Sequence, residues 1–482
     1  MRTGIKGGQL RILSKDQVSD MHLAVLDLLN DHGMRIEEEN ALKLLNEVGS
    51  EVDFKEKVVK FPEYLVEEAI RKAPRSVRLA GRVPENDFIL EDKKVYFRVC
   101  GVAPNIIDLE TGLRRESKIA DVANGARISD GLPNIDCANE ISAANDVPLS
   151  VVGLYKQEAM MANTTKHIIL AREHSVNVER IRIKMAELVA GGERELRKRP
   201  LISMFVEPMS PLFLGREDTQ AIMEWAAAGL PLVCVSVLAS GGTSPVTLAG
   251  TIVQGVAESL AGNVIMQLVN PGTPFIFGLI GEVMDMRTTL LAKGAETMLM
   301  CAASAQLAHY YGLPSIGMGG ASDSNTLDTQ AIAEASMSMT MGAMSGINLI
   351  QGIGYLESGL TGSYEMAVIC NEIAGMLRRM LKGIHVNDDT LAVETITEAG
   401  HGGSFLGLKH TRKHFSSEHL LPELMNRLPI EEWDSKGGKT LKEKAHEKAV
   451  SLLKNHFVKP IDEDVRKEIK LTITKAEKSA RT

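Results

Sequence analysis

With 482 residues, 44% of them hydrophobic and 24% charged, the chain has material for a large buried core and reads as a globular protein of one big domain plus appendages, or of two or three smaller domains. Its 54 basic against 62 acidic side chains leave a net charge of −8, which argues against the positive field that nonspecific nucleic-acid binding needs. The opening MRTGIKGGQLRILSKDQ lacks the apolar core of a signal peptide, and no run of about 20 apolar residues free of breakers and charge follows, so the expectation is a cytoplasmic protein without a membrane segment.

Residues 14–80 read as helices. SKDQVSDMHLAVLDLLNDHG opens with a Ser cap and closes at Gly33, and EEENALKLLNEVG and PEYLVEEAIRKAP follow it. From about residue 135 a rhythm sets in: a short apolar, β-branched run, a glycine-rich or polar break, then a longer amphipathic stretch. The runs are NIDCANEIS (134–142), KHIILARE (166–173), PLISMFVEP (200–208), PLVCVSVLAS (231–240), PFIFGLIG (274–281), PSIGMGG (314–320) and INLIQGIG (347–354), with KVYFRVCG (94–101) as the candidate for an eighth. Strand and helix alternating without interruption imply a parallel sheet with covered faces, and the number of units favours an α/β fold of the (β/α)8 TIM-barrel type over a doubly wound open sheet. The expected organisation is an N-terminal helical region at 1–80, the barrel at 81–409 and a charged C-terminal helical extension at 410–482.

The five cysteines, Cys100, Cys137, Cys234, Cys301 and Cys370, are odd in number and scattered, with no C-x-x-C pair, and read as buried free thiols. His410, His414 and His419 fall in LKHTRKHFSSEHL, and the first two share a helix face. Without the glutamate of H-E-x-x-H, and with Arg412 and Lys413 beside them, they read as structural, so no metal is expected. The stretch SMSMTMGAM (336–344) reads as adaptable core packing.

In a TIM barrel the residues that close each strand build the active site. Here they are polar and mostly acidic: Glu140, Asn145 and Asp146; Arg172, Glu173 and His174; Glu207; Ser240; Glu282 and Asp285; Ser322, Asp323 and Ser324; Gln351, Tyr355 and Glu357. Such a rim suits a cation, a metal or a substrate with donors better than a polyphosphate. No GxxxxGK[ST] is present, and the glycines of GMGGASDSNTLDTQ (317–330) lack the dinucleotide spacing.

Four ordered stretches, MHLAVLDLLNDHGMRIEEENALKLLNEVGSEVD, PEYLVEEAIRKAPRSVRLAGR, GMGGASDSNTLDTQAIAEASMSMTMGAMSGINLIQGIGYLESGLTGSYE and GHGGSFLGLKHTRKHF, resemble the trimethylamine methyltransferase (MttB-type) superfamily almost end to end. The resemblance implies a barrel that passes a methyl group from a methylamine or betaine to Co(I) of a corrinoid (cobalamin) carried by a cognate partner protein. This chain has no D-x-H-x-x-G cobalamin signature of its own, so no tightly bound cofactor is expected. Founding members carry pyrrolysine, whereas this sequence holds only the twenty standard residues. A quaternary ammonium leaves as a neutral amine without acid help, so a betaine such as glycine betaine, proline betaine or carnitine is the expected substrate.

The site is then expected to offer aromatic faces or acids to the ammonium and donors to a carboxylate. Glu207, Asp323 and Glu357 are the catalytic candidates. Substrate contact is assigned to Tyr96, Phe97, Arg98, Phe205, Phe277, Gln351, Tyr355, Tyr364, His401, Gly402, Gly403 and Phe405, and room for the corrin ring to Gly317, Gly319, Gly320 and Ser322. Two other classes fit the same rim: an acid–base or metal-assisted barrel lyase or isomerase, and a non-catalytic quaternary-amine binding protein. Small residues on the helices and the charged tail suit a homo-oligomer.

Overall fold

The computed structural model describes residues 1–99 and 101–480; Cys100 lies outside the described residues. Eight parallel strands form the centre: β1 (Lys94–Val99), β2 (Cys137–Ala138), β3 (His167–Ala171), β4 (Ile202–Val206), β5 (Leu232–Ser240), β6 (Phe275–Met284), β7 (Ser315–Met318) and β8 (Leu349–Ile353). Each pairs with its successor, and β8 returns to β1 through Leu349 opposite Tyr96 and Ile350 opposite Phe97, so the sheet is a closed barrel and not an open doubly wound sheet. The strands are buried on both faces, which is why they read as continuous apolar runs instead of alternating ones.

A helix follows every strand: Ile119–Gly131, Val152–Asn163, Val176–Ala190, Arg216–Ala228, Leu248–Val269, Ala295–Tyr311, Thr329–Ser345 and Tyr364–Leu381. Four of them, Val176–Ala190, Arg216–Ala228, Ala295–Tyr311 and Thr329–Ser345, end on a left-handed glycine (Gly191, Gly229, Gly312, Gly346), the conformation that lets a chain turn back without steric cost. Leu248–Val269 is long and apolar enough to cross a membrane by composition alone, but 83% of its apolar window is buried inside the protein, as befits a core helix.

The region before residue 81 is less purely helical than its sequence suggests. Helices Lys15–Asp27, Glu39–Glu47 and Glu63–Lys72 are present, the first with Ser14 and Gln17 forming a reciprocal cap, but Met34–Ile36, Val58–Lys60 and Glu51–Asp53 form a small sheet. Three-residue strands are too short for alternation to register in a sequence. This sheet gains a fourth strand, Phe213–Leu214, from the loop after β4, so the N-terminal region is stitched to the rim of the barrel. A hairpin, Ser76–Leu79 with Phe88–Glu91, closes the other end: Phe88 stacks 4.7 Å from Tyr96 and 6.4 Å from His167. In the C-terminal extension, Leu441–Asn455 buries Ala445 and Ala449 with the core beneath Tyr364–Leu381, and Glu463–Ala480 buries Ile469 and Ile473 among Val151, Leu154, Val178 and Met185.

Candidate active site

A cavity of about 770 Å3 lies at the C-terminal ends of the strands. Its wall takes Arg98 from β1, Asn139 after β2, Ala171 from β3 and Arg172 just after it, Phe205 from β4 and Glu207 just after it, Val237 from β5, Ile280 and Glu282 from β6, Met318 from β7, and Gln351, Gly352 and Tyr355 from β8 and its loop. Each stands there because an inward-facing position at a strand end points into the barrel mouth. At β8 an extra residue enters the ladder between Ile350 and Ile353, so consecutive residues Gln351 and Gly352 both reach the cavity. Gly352 has φ +116°, and a Cβ there would stand 2.6 Å from Met318 Sδ; only glycine fits.

The charges in the wall are largely matched. Arg172 Nε meets Asp218 Oδ1 at 2.5 Å, and Lys293 Nζ meets Glu282 Oε1 at 2.7 Å with both side chains buried. Lys293 Nζ also donates to the Ser358 carbonyl (2.7 Å). Asp323 accepts from the Lys293 backbone N–H (2.7 Å) and from Ser358 Oγ (2.6 Å), so one lysine and one aspartate clasp the loops after β6, β7 and β8 together. Arg98 is buried, with its guanidinium carbon 5.2 Å from the centre of the Phe205 ring.

Glu207 projects into the cavity, reached by water through the mouth yet ringed by protein. That enclosure and the nearby Glu282 charge raise its carboxyl to about 7, against the opposing pull of Arg98 and Arg172. Behind the wall, Lys156 bridges Glu140 (2.9 Å) and Glu173 (2.7 Å), tying the ends of β2 and β3. The loop after Glu207 is held by Glu258 of the helix Leu248–Val269, which accepts from Ser210 Oγ (2.7 Å), the Leu212 N–H (2.8 Å), Gln254 Nε2 (2.9 Å) and Ser236 Oγ.

Of the residues anticipated from sequence, the cavity brings together Arg98, Phe205, Glu207, Gln351 and Tyr355. Others lie elsewhere. Tyr96 is buried at the closed end, its hydroxyl accepting from the Gly4 N–H. Phe97 and Phe277 take the opposite phase of their strands and face helices, Phe97 under Arg378 at 5.5 Å and Phe277 against Tyr311 at 6.0 Å. The Tyr364 hydroxyl donates to Asp121 beneath the first barrel helix. His401, Gly402, Gly403 and Phe405 are exposed on the segment after Val393–Ala399 and are absent from the cavity wall.

Glu357 is engaged by Arg114 (2.8 Å) and Thr361 (2.5 Å) and Asp323 by the clasp, so both shape the rim without lining the cavity. The glycine run has a different use from the one expected. Gly317, Gly319 and Gly320 are buried, and a Cβ at each would strike Ile347, Ile350 or Ile353, so the room they make is filled by β8 and the helix Thr329–Ser345. Ser322 donates to Glu334 (2.6 Å) inside the same packing, and Asp328 caps the helix.

Lys293, Asp218, Asn139, Met209 and Ser358 also line the cavity and were not anticipated. Lys293 follows a two-residue strand, Leu291–Ala292, that folds back antiparallel on β6, and Asp218 sits in the first turn of a helix; neither follows a barrel strand directly in sequence.

A closed parallel barrel with a charged cavity at its strand ends has the layout of a TIM-barrel enzyme. The family model described as "Trimethylamine methyltransferase (MTTB)" matches residues 4–480. The chain is 37% identical over 474 residues to "Trimethylamine methyltransferase MttB" of Desulfitobacterium hafniense strain DCB-2, covering 98% of this chain and 95% of that one. It is 32% identical over 457 residues to "Glycine betaine methyltransferase" of Desulfitobacterium hafniense strain Y51, covering 94% of each. Among solved structures, the monomethylamine methyltransferase MtmB of Methanosarcina barkeri superposes with a TM-score of 0.55 at 12% identity, covering 92% of this chain and 88% of that one, a likeness of fold. The chain belongs to the MttB family and is a methyltransferase of that family.

Proposed function

We propose that this methyltransferase moves a methyl group from a quaternary amine of the betaine type to the Co(I) corrinoid of a partner protein, in the cytoplasm. The observation that carries the reading is a cavity in which Glu207, among the described residues the acid of the wall without a close ion pair, stands in the field of a buried Arg98, with Phe205 and Tyr355 in the same wall. A zwitterion fits that polarity: its ammonium against the ring faces and the Glu207 carboxylate, its carboxylate toward Arg98. The corrinoid is the second substrate; Co(I) supplies the electron pair for the new bond to carbon. The C–N bond breaks and its electron pair stays on nitrogen, so the amine leaves neutral and no proton is needed.

The protein's own work is to strip water from the cation, aim one N–CH3 bond at the mouth and hold the carboxylate end fixed. The cavity falls within the range of small-molecule sites, about 300–1,000 Å3, and is larger than a betaine alone fills, which leaves its outer part to the methyl acceptor. A second reading has an observation in its favour: relatives at 37% identity are named for trimethylamine, and a carboxyl with a pKa of about 7 can keep a tertiary amine protonated. One experiment separates them. The protein is mixed with Co(I) cobalamin and either a betaine or trimethylamine, and the visible spectrum is followed for loss of Co(I). Turnover with a betaine and none with trimethylamine is expected; the reverse overturns the betaine reading.

A further inference from the structure

After the last barrel helix the chain runs outward through Asp388–Leu391, Val393–Ala399 and Lys409–Glu418. Among the described residues, none between Lys382 and Glu423 is buried, and Ile384, Val393, Ile396 and Leu406 stand open to water. A segment of this length without a core needs another kind of tie. Arg379 and Lys382 of the last barrel helix bond to Glu418 and the Ser417 carbonyl at the far end of the segment, and a polar node joins its first and third helices. Asp389 comes from the first short helix, and His410 and His414, one turn apart, come from the third; a ligand atom of each lies within 4.8 Å of the other two.

His414 Nε2 is 3.2 Å from Asp389 Oδ2, inaccessible to solvent, and lacks an aligned hydrogen bond. The His410 ring stacks 4.3 Å from that of His414, and its Nε2 is 3.1 Å from the Asp389 carbonyl. Sequence spacing alone argued against a metal here because no glutamate lies between the histidines; the third ligand arrives instead from 21 residues upstream of His410.

We propose that Asp389, His410 and His414 form a site for a divalent transition metal that fastens this segment. Two imidazole nitrogens and one carboxylate oxygen are a donor set suited to Zn2+ or Co2+, and three protein ligands leave a fourth position for water. Bond lengths of about 2.0–2.2 Å bring tetrahedral ligands to about 3.3–3.6 Å from one another, a contraction within reach of side-chain rotation on exposed helices. Lys413 Nζ now neutralises Asp389 at 2.6 Å. Its side chain is 62% exposed, so the incoming cation displaces it into water at little cost. The site is separate from the barrel cavity, and the proposal does not rest on the methyl-transfer reading.

The full chain, dialysed against chelator, is titrated with Co2+ and its visible ligand-field bands are recorded, with Zn2+ competition and limited proteolysis alongside. Expected are one saturable equivalent per chain, loss of the bands with Zn2+, and slower cleavage within 383–421 when metal is bound. H410A/H414A and, separately, D389N weaken binding at least tenfold, whereas H419A leaves it unchanged, because His419 is outside the node and meets Phe415 edge to face at 5.4 Å. No saturable site in the wild-type chain, or a site that survives both H410A/H414A and D389N, overturns the proposal.

Discussion

If the ionised Glu207 carboxylate receives the ammonium, catalysis must follow its titration. With a carboxyl near 7, about one-tenth of the free enzyme is ionised at pH 6 and about nine-tenths at pH 8, so kcat/KM for a betaine rises roughly tenfold across that interval and levels off above it. A bound cation favours the ionised form, so the inflection in kcat lies at lower pH than that in kcat/KM. E207Q removes the charge but keeps the shape. In a water-touched cavity that interaction is worth about 1.5–3 kcal/mol, so kcat/KM at pH 8 falls roughly 10- to 150-fold and the inflection disappears. The assay is the Co(I) spectrum recorded under pseudo-first-order conditions from pH 5.5 to 9. A flat wild-type profile, or an inflection that persists in E207Q, refutes the assignment.

Arg98 holds the Glu207 carboxyl down, so R98M moves the same inflection to higher pH; it also raises KM for a carboxylate-bearing betaine by about 10- to 150-fold while sparing tetramethylammonium, which steady-state kinetics with both substrates will check. K293M leaves the buried Glu282 carboxylate without its partner and costs about 3–5 kcal/mol in denaturant unfolding, and K293M/E282L recovers most of that loss; equal losses in both variants speak against the uncompensated Glu282 charge as the cause. Buried His167 stays neutral down to about pH 4 whereas its unfolded form takes up a proton near 6.5. Its contribution is therefore complete above pH 6.5 and is lost as the pH falls toward 4, by about 3 kcal/mol, and H167Q flattens that part of the stability curve.

The barrel was legible because parallel strands buried on both faces leave unbroken apolar runs, and all eight coincide with strands, including the uncertain KVYFRVCG. The site was legible where a polar side chain closes an apolar run, as Glu207, Arg172 and Glu282 do. It was not legible where phase decides. Arg98 faces the cavity and its neighbour Phe97 a helix, yet in a strand buried on both faces nothing marks which of two adjacent positions turns inward. Contacts made across the chain leave still less trace: Lys293 reaches Glu282 through a short returning strand, and Asp389 reaches His414 across 25 residues.

The extra residue in β8 has an evolutionary corollary. Deleting one residue between Ile350 and Ile353 restores regular pairing with β1 and sets the single remaining side chain opposite Arg98, on the face that looks into the reaction chamber, while the hydrogen-bonded hoop of the barrel survives. A lineage can thus exchange the group presented at this spot by a single-codon insertion or loss, leaving the other seven staves untouched.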